Sequence, residues 1–97
     1  KYTGKLLVFN EAARFSMHFH ALKDETFFVL EGVFDLLTIE TESADVKKQR
    51  LNPGDSVRIK PLTPHQVICV KKGTIIEVST PDSVEDNYRV AKGNSQK

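Results

Sequence analysis

Apolar positions along this chain fall in short runs, and polar turn residues separate them. Residues 5–9 (Lys-Leu-Leu-Val-Phe) form the first run. Residues 15–20 alternate strictly: Phe15, Met17 and Phe19 take one parity, and Ser16, His18 and His20 the other. Further runs cover 26–30, 34–39, 66–70 and 74–78, with a weak, charged run at 46–51 and a short one at Val57 and Ile59. Period-two alternation in short runs is the signature of half-buried strands. Gly32, residues 42–45, Asn52-Pro53-Gly54-Asp55 and Lys71-Lys72-Gly73 supply the turn chemistry between them. About eight strands at this spacing predict an all-β domain, a small barrel or sandwich. No 3.6-residue apolar stripe competes, and only Ala12-Ala13 reads as a helical turn. The stretch 91–97 is polar and reads as a loose tail beyond a core of about residues 5–90.

Length and charge narrow the classes. With 97 residues the chain can build one hydrophobic core but not two, so residues 1–97 read as a single domain. The net charge is +1, and its 14 basic and 13 acidic residues interleave. A nucleic-acid footprint would be a basic stripe, and none is present. No apolar run approaches the roughly 18 residues of a membrane helix. The start, Lys1-Tyr2-Thr3-Gly4-Lys5, has no long apolar region of the signal-peptide kind. It also has no Met, which points to a processed or trimmed product. The single cysteine, Cys69, excludes a disulfide-stapled miniprotein and favours a reducing, cytoplasmic setting.

The candidate chemistry starts in the second run. Residues i and i+2 of a strand share a face, so His18 and His20 can hold one ion from one strand. Glu25 opens the next run after a short loop and can return a carboxylate to the two imidazoles. The third histidine, His65, follows the turn Pro61-Leu62-Thr63-Pro64. Three imidazoles and one carboxylate suit divalent Zn, Mn, Fe, Co or Ni, with positions left open for water or substrate. An H-x-H pair alone is a weak signal, because strand histidines are often simply hydrogen-bonded.

The pattern of His18-x-His20, Glu25 and Gly32, then Gly54 and His65, resembles the two motifs of the cupins. The resemblance implies a small β-barrel (a double-stranded β-helix, or jelly roll) with a divalent ion on His18, His20, Glu25 and His65. There are departures. Ala12 stands where the first motif usually opens with Gly, Lys60 and Leu62 take the Pro and Gly places of the second, and Cys69 stands where it often ends in Asn. A narrower resemblance joins residues 17–32, 75–79 and 85–90 to the cupin domain of type II phosphomannose isomerases. It implies a mannose-6-phosphate isomerase-like protein, although the guanylyltransferase domain of the large enzymes has no counterpart here.

Glu77 interrupts an apolar run and is the candidate catalytic base, unless it lies on the solvent face of its strand. Arg89 and Lys60 are candidate substrate contacts, Arg89 on the family resemblance. Arg58 reads as a surface residue, and Lys23 and Asp24 as solvated loop charges. Cys69 reads as a small buried hydrophobe. The functional expectation is metal-assisted isomerisation or epimerisation of a sugar or sugar phosphate through an enediolate. Two alternatives stand beside it, a non-catalytic sugar-binding or sensing domain and an Fe-dependent dioxygenase. Phe15, Met17, Phe19, Phe28 and Leu30 lie opposite the ligand parity and predict an apolar back face that pairs two chains into a homodimer.

Overall fold

Two glycines decide the architecture. Gly32 and Gly73, expected to mark chain reversals, instead lie inside two long strands and face each other where both strands bend. At Gly32 φ is +89°, and a Cβ there would stand 2.7 Å from the Gly73 Cα and from the carbonyl oxygens of Lys71 and Lys72. A Cβ on Gly73 would overlap the Glu31 carbonyl. The runs on either side of each glycine therefore fuse. In this computed structural model, which describes residues 2–81 and 87–91, the chain forms seven strands. They are β1 (Thr3–Phe9), β2 (Met17–His20), β3 (Glu25–Ile39), β4 (Val46–Leu51), β5 (Ser56–Ile59), β6 (His65–Ser79) and β7 (Asn87–Ala91).

All pairings are antiparallel. The ladder runs β4-β3-β6-β2-β7, and β5 and β1 pair with β3 and β6 off this path. β3 and β6 run side by side for most of their length, with register shifts between Val29 and Phe34, so each contributes to two parts of the sheet. On the Glu25 side of the bend lie β5 and β1; on the far side β4 and β2. The sheet curls around a single core of Phe9, Phe27, Val29, Phe34, Leu36, Leu51, Ile59, Val67, Cys69 and Ile75. This is the expected small all-β barrel.

Three local expectations fail. Ala12-Ala13 is no helical turn: Ala12 has φ of 68°, and its amide donates to the Cys69 carbonyl at 2.9 Å. The strand expected over 15–20 slips register between Met17 and His18. Strict alternation ends there, so Phe15 packs on Phe9 with ring centroids 4.8 Å apart, and Met17 is buried. Neither belongs to an exposed back face. The third concerns residues after 86, where β7 pairs with β2 although no strand was expected. The expected loose tail, 91–97, lies outside the described residues except for Ala91, which ends β7.

Candidate metal centre

β2 and β6 meet where His18 and His65 are direct cross-strand partners, so their side chains project to the same side. His20 ends β2, and Glu25 opens β3 after the short connection. The turn before His65 is tied to the ligand strand: the Leu62 amide, on a residue with φ of 68°, donates to the His20 carbonyl at 2.6 Å. One ligand atom from each of His18, His20, Glu25 and His65 lies within 4.8 Å of the others.

The donor set fits a cation. His18 Nδ1 lies 2.9 Å from the Ser16 carbonyl, and His65 Nδ1 lies 2.9 Å from the Thr63 carbonyl. A carbonyl can only accept, so both Nδ1 atoms carry the proton and both Nε2 atoms are left with a lone pair. Anchoring the far ring nitrogen in this way is how metal-binding histidines are held. His65 Nε2 and Glu25 Oε2 stand 2.9 Å apart, and both are buried without a well-aligned hydrogen bond. Glu25 Oε2 is also 3.8 Å from His20 Nε2. Two ligands on adjacent positions of a Zn-like ion stand about 3 Å apart. Converging, buried and poorly satisfied donors are what an ion would satisfy.

Electrostatics agree. Burial, reinforced by the neighbouring His65, lowers the His18 pKa to about 4, so this imidazole is neutral at pH 7. Burial would raise the Glu25 carboxyl, but His65, Lys23 and His20 outweigh it, and the net shift is downward. His18 is therefore a neutral imidazole and Glu25 a charged carboxylate at pH 7, the forms in which each binds metal.

Glu77 points inward. It is buried on β6 and pairs in register with Phe27, a core residue. The solvent-face alternative is thereby excluded. Its partner was missed by the sequence reading. Lys23, taken above as a solvated loop charge, is only 5% exposed, with Nζ 2.9 Å from Glu77 Oε2 and 3.6 Å from Glu25 Oε1. The available signal was parity: Lys23, Glu25 and Phe27 alternate, so extended backbone before Glu25 turns Lys23 inward. Asp24 takes the opposite direction and forms a two-pronged ion pair with exposed Arg58.

Lys60 is exposed, on the rim of an open cleft of about 390 Å³ that Leu36, Thr38, Val57 and Ile59 also line. Thr38 and Ile59 pair in register with His65 and Glu25, so the cleft opens on the side of the sheet that carries the ligands. Arg89 pairs with His18 through the backbone of β7, and its side chain lies outside the described residues. Cys69 is buried in the core, and its thiol donates to the Lys71 carbonyl at 3.2 Å.

Comparison with known proteins bears on the fold. KdgF from Halomonas sp. superposes with a TM-score of 0.74 at 21% identity, over 87% of this chain and 72% of its own. Oxalate decarboxylase from Bacillus subtilis gives 0.79 at 14% identity over 92% of this chain. The capsular polysaccharide assembling protein CapF from Staphylococcus aureus gives 0.80 at 12% identity over 94%. This chain spans 24% of the decarboxylase and 27% of CapF. A search of curated protein sequences finds no match. No helix among the described residues is long and apolar enough to cross a membrane. The cupin domain profile matches residues 5–79, which carry all four converging side chains; the chain belongs to the cupin family.

Proposed function

We propose that the domain holds one divalent ion on His18, His20, Glu25 and His65 and isomerises or epimerises a small sugar or sugar phosphate, with Glu77 as the base. A bound ion of the Zn, Mn, Fe, Co or Ni kind would supply Lewis acidity toward adjacent oxygens of the ligand. The observation that carries the reading is the position of Glu77. It is a buried carboxylate on the inward side of β6, one ammonium away from the ligand Glu25. Held in place by Lys23, it can accept a proton from a carbon beside a carbonyl. Phe27 and Val67 add apolar walls, which limit water around the reacting carbon.

The cleft has the volume of a small-ligand site, and Lys60 on its rim can meet a phosphate or carboxylate. Arg89, beside His18 in the ladder, is the second candidate for that contact. The narrower sequence resemblance to phosphomannose isomerases supports a sugar phosphate. Two structural neighbours add support by name, one a protein with Mn(II) centres and the other a polysaccharide-assembling protein.

The test is exchange in deuterated water with Mn, Zn or Ni and a panel of aldoses and their phosphates. Deuterium is expected at the carbon next to the carbonyl, and lost in Glu77→Gln with metal still bound. Tight sugar binding without exchange under any metal selects the sensing domain instead. Oxygen consumption that needs Fe(II) selects the dioxygenase.

We also infer that two chains pair. The outer face differs from the expected one, because Phe15 and Met17 are withdrawn from it. Leu6, Ile76 and Phe28 lie in one cross-strand row, flanked by Leu30, Val8 and Val78. Leu6 and Val8 are each 65% exposed. A two-fold axis lets such a patch cover itself. Light scattering should give twice the chain mass, and Leu6→Glu/Phe28→Glu should give the monomer; a wild-type monomer at every concentration refutes the pairing.

A further inference from the structure

The sequence and the metal-site geometry leave one buried group without a role. Lys23 lies on the connection between two ligands, yet an ammonium is no metal ligand and repels a cation. Its burial beside a metal centre needs a reason, because Lys is almost never buried unless paired. Two of its contacts give one. Nζ stands 2.9 Å from Glu77 Oε2 and 3.6 Å from Glu25 Oε1. Lys23 thus stands between two buried carboxylates, of which Glu25 has an oxygen inside the four-residue cluster and Glu77 lies outside it. Glu77 Oε2 is nonetheless buried, and its contact with Lys23 is close without hydrogen-bond alignment. A carboxylate in that condition is a ready ligand for any divalent cation within reach.

We infer that Lys23 is a positioning residue that withholds Glu77 from the metal and so keeps a coordination position open for an exogenous ligand. The ammonium neutralises Glu77 where it stands and fixes the outer oxygen of Glu25, leaving Oε2 to face the histidines. Without the ammonium, the buried Glu77 carboxylate loses this cationic partner, and a metal on Glu25, which shares that ammonium, would take its place. The site would gain a fifth protein ligand and lose the position a substrate needs. The inference rests on the metal-binding part of the proposed function and is independent of isomerisation.

The experiment loads the 97-residue chain with Co(II) and follows the visible d–d spectrum during titration with azide, a small anion that occupies open positions. Wild-type protein and Glu77→Gln are expected to share one spectrum and one azide affinity, since Glu77 is no ligand while Lys23 is present. Lys23→Met is expected to shift the spectrum and to bind Co(II) more tightly. Its azide affinity should fall by about tenfold, the order by which groups next to metal ligands tune a site. Lys23→Met/Glu77→Gln should recover the wild-type spectrum and azide affinity. A merely structural lysine would change stability and leave spectrum and azide affinity alone.

Unchanged spectrum and azide affinity in Lys23→Met overturns the inference. So does a shift in Glu77→Gln alone, which would make Glu77 a ligand already; this arm decides even if Lys23→Met fails to fold. A Lys23→Met effect that Glu77→Gln does not reverse also overturns it. If this pattern holds but no deuterium exchange is found, the isomerase reading fails and the inference stands.

Discussion

Gly73→Ala is expected to unfold the domain or to cost about 3 kcal/mol or more. The added methyl would overlap the Glu31 carbonyl and crowd the Gly32 Cα, both backbone atoms that no rotamer change can move. Relief would require β3 and β6 to part at their bend. These two strands carry Glu25, His65 and Glu77, so the damage reaches the metal site as well as the core. Gly54→Ala is the control. Its φ is +93°, but nothing lies within 4 Å of the added atom. Only the backbone preference is lost, which costs about 1–2 kcal/mol. Urea unfolding of the two variants should separate them clearly; equal midpoints would mean that the strands do not cross so closely.

Metal removal is the second large effect. An ion that binds only the folded chain, present at about a thousand times its Kd, adds about 4 kcal/mol of stability. For a domain of this size that is a fall in Tm of more than about 10 °C on chelation. Acid should act in the same direction. The folded-state pKa of His18 lies at about 4, below the ordinary histidine value of 6.5. The unfolded chain therefore takes up the proton first, and stability is lost as pH falls from about 6.5 toward 4. Glu25 is also shifted downward, so its contribution holds above its unfolded value and is lost as pH falls through the folded one. A Tm that is flat from pH 7 to pH 4 in both metal-loaded and chelated protein contradicts this electrostatic picture.

The fold and the candidate metal cluster were legible for different reasons. Period-two runs and turn residues carry the strands, and motif spacing carries the four candidate residues, because both are written along the sequence. What failed was non-local. Gly32 and Gly73 look like turns because glycine takes positive φ easily; that they face each other across two long strands appears only when β3 and β6 are paired. The slip at Met17 depends on β7, a partner absent from any local pattern. Lys23 was misread because loop lysines are usually solvated, and its burial follows from Glu77, which is distant in sequence. The motif departures have a physical reading. Ala12 and Leu62 occupy two of the glycine places and both have φ of 68°, so the backbone there takes a conformation that glycine adopts most easily.

The central claim is that four side chains from β2, β3 and β6 form one metal site. Elemental analysis of the purified protein, after dialysis against a mixture of divalent metals, tests it most directly. The account predicts about one ion per chain for wild type and almost none for the folded His18→Ala/His20→Ala variant, whose remaining Glu25 and His65 are too few to hold an ion tightly. Full metal stoichiometry in the double variant, or none in the wild type, would contradict it.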